Sequence, residues 1–218
     1  MPLTSHIALV AEDALGLALG RRLIQEHSAL FVWRETNARG RGAIKRDIQK
    51  YTHMARNGFP VLALTDLDTR ACCRVLLNEW FGGHHGPHPN LLLRICVREA
   101  EAWLMADPSP LARLLRLPEM RFPAQPEILA DPKRSLLDLA THAPAKVRRG
   151  LLPQSGSTAR IGPEYNELLC PLVTAMWDIG KAARRAPSLA KARQSLGELA
   201  ARVGSRGTNC YVSDDSRR

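Results

Sequence analysis

The stretch Val61-Leu62-Ala63-Leu64-Thr65-Asp66-Leu67-Asp68 is a short apolar run closed at once by two carboxylates. It follows the helix-stopping pair Asn57-Gly58 and precedes the helix formers of 70–80. Apolar runs of this length between such signals read as strands buried on both faces. The pattern repeats upstream: His6–Val10 is a strand candidate, followed by a helix over 13–27 with Leu15, Ala18, Leu19 and Leu23 at helical spacing. Leu30–Trp33 is a second strand, residues 37–42 a Gly/Arg loop, and Ile44, Ile48, Tyr51 and Met54 one face of a second helix. Downstream, a turn-rich break over 82–89 leads to a fourth strand, Leu91–Val97, which runs into Glu99-Ala-Glu-Ala-Trp-Leu-Met-Ala106. Strands alternating with helices predict an α/β fold with a mostly parallel sheet flanked by helices.

Beyond Asp107 the pattern changes. Pro108, Pro110, Pro118, Pro123, Pro126 and Pro132 cut the chain into short helical pieces. After Pro187, the residues Leu189, Ala192, Leu196, Leu199 and Val203 recur at three- and four-residue steps and require a surface to pack on. The expected organisation is an α/β domain over 1–107, a helical C-terminal part over 108–203 packed on it, and a polar, disordered tail over 204–218.

A chain of 218 residues, 45% hydrophobic and 24% charged, is an ordinary globular composition. Its five cysteines show no bridging pattern and read as reduced thiols, no apolar run reaches membrane-spanning length, and the first ten residues lack a secretory pattern. These features predict a cytoplasmic protein with no membrane partner. Thirty-one Lys and Arg against 21 Asp and Glu give a formal charge of +10, a field that attracts polyanions and so favours DNA or RNA as partner. A GC-rich coding bias would produce the same excess of Arg.

In open α/β sheets the ligand site lies outside the carboxyl ends of the strands. Glu12 follows the first strand, Asp66 and Asp68 the third, and Glu99 and Glu101 the fourth. Carboxylates gathered on one edge repel unless a cation sits among them, and an oxygen-only ligand set selects Mg or Mn over zinc. Each acid has a plainer role available at a helix N-terminus: Asp66 on the third helix, Glu12 and Asp13 on the first, Glu99 on the fourth. Glu99 and Glu101 stand about 200° apart if both are helical, so both reach one site only if the strand extends that far.

A strand ending in Glu, then a strand ending in Asp-x-Asp two βα units later, then a further acid beyond the next strand, resembles the Toprim domain of the OLD-type nucleases and their small stand-alone bacterial relatives. The resemblance covers about the first 107 residues. Residues 98–107, Arg-Glu-Ala-Glu-Ala-Trp-Leu-Met-Ala-Asp, are similar to a Glu-x-Glu-Ala signature of those small proteins. Gly162-Pro-Glu-Tyr-Asn166 and Arg185-Ala-Pro-Ser-Leu189 echo their helical C-terminal part. The resemblance implies a Toprim-like fold and metal-dependent cleavage or nicking of DNA or RNA, often beside a partner ATPase in anti-phage defence. Glu12 matches the first acid, a metal ligand or general base, Asp66 and Asp68 the metal-binding pair, and Glu99 and Glu101 the later acids. The chain departs from the pattern at Asp13, where Gly is usual after the first Glu. A basic residue near the scissile phosphate is implied as well, with Lys133 as candidate and Lys45 or Arg41 as alternatives.

The loop Arg39-Gly-Arg-Gly42, with Lys45 beyond it, suits contact with a nucleic-acid backbone, although it is no P-loop. His84, His85 and His88 sit in a Gly/Pro loop and read as solvated rather than as a zinc site. Trp33, Trp80, Trp103 and Trp177 fall on apolar faces and are expected in the core. The rival to a nuclease is a non-catalytic module that docks on a partner ATPase. A nucleotide-handling enzyme on a doubly wound sheet is a third reading. The partners that the sequence allows include a second copy of the chain, as a homo-oligomer.

Overall fold

The computed structural model of the chain describes residues 5–82 and 86–206. Strands β1 (Ser5–Ala11), β2 (Leu30–Asn37), β3 (Val61–Asp66) and β4 (Leu91–Cys96) form one sheet in the order β2-β1-β3-β4, with every pairing parallel. A parallel sheet needs cover on both faces, and the alternation along each strand supplies two cores. Ile7, Leu9, Ala11, Leu62, Leu64 and Leu92 face one of them; Ala8, Val10, Val61, Ala63, Leu91 and Leu93 face the other. Helix α1 (Ala14–Ile24) covers the first face. Helices α2 (Arg41–Arg46), α3 (Ile48–Arg56) and α4 (Cys73–Phe81) contribute Ile44, Ile48, Tyr51, Leu76 and Trp80 to the second.

The chain leaves β1 toward β2 on one side and returns to β3 on the other, so the strand order reverses between β1 and β3. Neighbouring loops diverge there and open a crevice at the strands' carboxyl ends. Helix α1 is held tightly to this point. A Cβ on Gly16 would stand 2.9 Å from Ala11 Cβ, too close for any side chain without moving the strand, and one on Gly20 would stand 2.5 Å from Leu9 Cδ1, so that the Leu9 side chain would have to shift.

After Asp107 the described residues contain no strand. Helix α5 (Ala100–Ala106) is followed by α6 (Pro108–Leu115), two single 3-10 turns, α7 (Pro132–Ala140), α8 (Ala145–Leu151), α9 (Tyr165–Ala175), α10 (Ile179–Ala183) and α11 (Pro187–Arg206). Trp103, Leu136, Leu169, Leu189, Leu196 and Leu199 from these helices, with Trp177 between α9 and α10, are buried in the same core as α1, which is therefore continuous across Asp107. The periodic stripe of α11 packs on β4 and α1.

The structure departs from the sequence expectations at several places. Strand β2 runs on to Asn37 because it is an edge strand: paired on one side only, it tolerates the polar residues Arg34–Asn37. The second helix is two, divided at Asp47, a poor residue for a helix interior. Helix α4 starts at Cys73, not Arg70, because Arg98 Nη1 donates to the carbonyls of Asp68 (3.1 Å) and Arg70 (2.8 Å) and ties those residues to the end of β4. Helix α11 continues three residues into the segment read as a tail, and residues 207–218 lie outside the described residues. Trp80, Trp103 and Trp177 are buried, whereas Trp33 is 44% exposed on the edge strand. His84 and His85 lie outside the described residues, and His88 Nδ1 accepts from the Asn90 amide at 3.2 Å. No described helix is long and apolar enough to cross a membrane.

Candidate functional site

Glu12 directly follows β1. Its Oε1 accepts from Thr65 Oγ1 (2.5 Å) and from the Asp66 amide (2.9 Å), which orients it across to the end of β3. Asp13, where the resemblance expects Gly, is the N-cap of α1 and accepts from the Gly16 amide at 2.8 Å. Asp66 does not cap the helix that follows it. Its Oδ1 accepts from Ala100 N (2.9 Å), the first amide of α5. Asp68 adopts a left-handed backbone (φ 51°), a conformation that Asp tolerates better than most residues, and its Oδ2 pairs with Arg41 Nη1. Glu99 holds the N-cap position of α5, yet its Oε2 reaches over to the Lys133 amide (2.8 Å) in the first turn of α7. Carboxylates from three strand ends thus meet the amino ends of α1, α5 and α7, where partial positive charge favours anions.

Glu101 lies behind this row, fully buried. Its Oε1 accepts from Tyr165 Oη (2.8 Å) and lies 3.4 Å from Lys133 Nζ. Its Oε2 is buried and has no hydrogen-bond partner among the described residues. Burial lifts the Glu101 carboxyl to about 7, even though Lys133 and the Tyr165 hydroxyl pull it down. Burial, followed by the charges of Glu101 and Glu12, raises Asp66 well above the usual carboxylate range. Burial raises Glu12 and Glu99 too. Lys133 loses some basicity to burial, but the surrounding acids, Glu101 and Glu99 foremost, outweigh that and hold it protonated.

Glu12, Asp66, Asp68, Glu99 and Lys133 line a cleft of about 910 Å³. Glu12, Asp13, Asp66, Asp68, Glu99 and Asp131 supply its acidic part, and Arg39, Lys133, Arg134 and Arg160 its basic part. Of the residues expected at the site, Glu12, Asp66, Asp68, Glu99, Lys133 and Arg39 therefore share one cleft. Glu101 touches it through Lys133, and Arg41 through Asp68. Lys45 is exposed on α2 and is not among the lining residues. Sequence reasoning missed Thr65, Tyr165, Asp131, Arg134, Arg160 and Asn166. Tyr165 and Asn166 fall within the Gly162–Asn166 segment that carried part of the resemblance, and this was the one signal available for them.

The donor set is all oxygen, with no Cys or His among the lining residues, so its chemistry suits a hard divalent cation. As placed, no three Asp, Glu, His or Cys side chains among the described residues stand together as a ready ligand group. Arg41 occupies Asp68 Oδ2, so a cation ligated by Asp68 would share that carboxylate with the guanidinium. Compared with protein-family models, with curated proteins and with solved structures, the chain matches none.

Proposed function

We propose that the chain is a Toprim-like, metal-dependent nuclease that cleaves or nicks phosphodiesters of DNA or RNA. The observation that carries this reading is the gathering of Glu12, Asp66, Asp68 and Glu99 with Lys133 on one cleft at the strand-order reversal. Glu12, Asp66, Asp68 and Glu99 are the residues that would hold Mg or Mn. When bound, such an ion supplies Lewis-acid polarisation of a phosphate oxygen and a more acidic water. The chain's own residues do the rest. Lys133, kept protonated by Glu101 and Glu99, offsets negative charge that develops on the phosphoryl oxygens. Arg39, Arg134 and Arg160 hold flanking phosphates through charge-assisted hydrogen bonds, and the formal charge of +10 draws the polyanion in. By its resemblance, the chain works beside an ATPase in bacterial anti-phage defence.

A specific observation favours a second reading. Asp66, Asp68 and Glu99 are each engaged within the fold, by Ala100 N, Arg41 and Lys133 N respectively, as expected of a module that keeps the architecture and docks on a partner ATPase without catalysis. Incubation of the purified chain with supercoiled plasmid and single-stranded oligonucleotides in Mg²⁺, Mn²⁺ or chelator separates the two. The nuclease requires cleavage that depends on metal and disappears in Asp66→Asn. A folded wild-type chain that leaves every substrate intact, alone and with a neighbouring ATPase, moves the assignment to the docking module.

A further inference from the structure

Three large aromatic rings stand exposed: Phe31 (59%) and Trp33 (44%) on the edge strand β2, and Phe59 (51%) just before β3. The register explains how they come together. Phe31 lies beside His6, and the irregularity between Ile7 and Ala8 inserts Trp33 as an extra residue, so that Arg34, not Trp33, lies beside Ala8. Neighbours in a parallel pair point the same way, which puts Phe31 and Arg34 on the face of α2–α4 with His6 and Ala8. Phe59, just before β3, completes the group: its ring centroid is 6.5 Å from that of Trp33, tilted by 48°, while His6 meets Phe31 edge-on at 6.0 Å. Arg34 shares that face, and the charges that it meets there surround Tyr51 of α3. Arg34 and Arg46 both act on Tyr51 of α3, Lys50 Nζ lies 5.9 Å from that ring, and Asp47 is ion-paired to Arg46.

Exposed rings beside a cation such as Arg34 are the composition of a platform for unpaired bases, which stack on aromatic faces while Arg and Lys take the phosphates. Duplex bases are already stacked on one another and cannot use it. A second copy of the chain fits less well, because both copies carry a charge of +10 and each would bring Arg34 to the shared edge. The strand also has a direction. From Trp33 to Asn37 it advances about 13 Å, and Asn37, Arg39 and Gly40 line the acidic cleft.

We propose that Phe31, Trp33 and Arg34 of the edge strand β2, with Phe59 just before β3, bind single-stranded nucleic acid by base stacking and lead it toward the cleft. Delivery to a cutting site rests on the nuclease reading; the binding itself does not.

The test uses the full chain in chelator, so that binding is read without cleavage. Fluorescein-labelled oligo(dT) and oligo(U) of about 15 nucleotides are titrated by anisotropy, with an unlabelled duplex as competitor. In parallel, tryptophan emission reports on Trp33, because Trp80, Trp103 and Trp177 are no more than 5% exposed. The expected result is binding with quenched emission, poor competition by duplex, loss of the quench in Trp33→Ala, and affinity lowered about 5-fold or more for each ring replaced in Phe31→Ala, Trp33→Ala and Phe59→Ala. Urea midpoints close to wild type show that these surface variants fold. Unchanged affinity and unchanged emission across the folded variants overturn the proposal, as does a ring variant whose only effect is to turn a dimer into a monomer in sedimentation. Binding that depends on the rings, in a chain that cuts nothing, leaves this proposal standing and removes the nuclease. Metal-dependent cutting by ring variants with wild-type oligonucleotide affinity does the reverse.

Discussion

Glu101→Gln tests whether burial tunes the cleft as the structure indicates. The Glu101 carboxyl is fully buried and titrates at about 7 instead of the ordinary 4.5. The folded chain therefore holds a proton on it that the unfolded chain has released. The sign follows from linkage: with a folded value above the unfolded one, this group's contribution to stability is full below about pH 4.5 and is lost as pH rises through about 7. At about 1.4 kcal/mol for each unit, the loss across that window is about 3 kcal/mol. Lys133 does not mask it, since its titration lies above its ordinary 10.5 and its charge is constant throughout this range. Gln keeps the shape and can still accept from Tyr165, but it does not ionise. Urea denaturation of wild type and Glu101→Gln from pH 4 to pH 8 should therefore show the wild type losing about 3 kcal/mol relative to the variant as pH rises. A stability difference that is flat between pH 5 and pH 8 refutes the reasoning, because it means that Glu101 does not change protonation there.

Other substitutions probe the rest of the construction. Asp66→Asn retains an oxygen for Ala100 N and removes a carboxyl whose folded value is raised, so the variant should gain stability over wild type at pH 8 and lose that advantage near pH 4, read from urea midpoints, and on the proposed nuclease reading it should not cleave. Gly162→Ala would bring a Cβ against backbone atoms of Gly150 and Leu151 and should cost about 1–3 kcal/mol in thermal or urea unfolding. Gly42→Ala, which meets nothing within 4 Å, should change stability little or raise it slightly. Ser188→Ala removes the hydroxyl that accepts from Trp103 Nε1 (2.7 Å) and donates to Glu127 Oε1 (2.5 Å), and should cost about 1–3 kcal/mol through the loss of these two hydrogen bonds, one of them to a carboxylate. The same assays measure it.

The four strands were legible because each is a short apolar run with a period of its own, and Val61–Asp66 and Leu91–Cys96 lie almost where their runs do. Glu12 and Asp66 were legible for the same reason, since a carboxylate that ends a buried strand of a parallel sheet has one edge on which to appear. What could not be read depends on contacts between distant elements. Nothing local to Asp68 announces Arg41, 27 residues earlier. Glu101 came to rest behind the cleft because α5 is buried on all sides, and that follows from where α7 and α9 pack, not from the spacing of Glu99 and Glu101. Trp33 was assigned to the core from an apolar run that continues, one irregular step later, as an exposed edge strand.

Helix capping alone is an insufficient account of the acidic row, although it explains much of its geometry. Asp13, Asp66 and Glu99 each accept from an amide in the first turn of α1, α5 or α7, and such amides need an acceptor. Asn and Ser cap about as well as Asp and carry no charge. A fold selected only for its caps would avoid placing Glu12, Asp66 and Glu99 where burial and neighbouring carboxylates raise all three, because each ionised group there costs stability. Glu12 answers Thr65 and the amide of Asp66 within β3, and Asp68 answers Arg41, so neither serves a helix end at all. Retention of charge at that cost points to a role that a neutral cap cannot fill, and binding a cation is such a role. Asp66→Asn and Glu99→Gln preserve the caps and delete the charges. Were capping their whole purpose, both variants would keep every property of the parent chain, and the cleavage that the nuclease reading expects would survive in both.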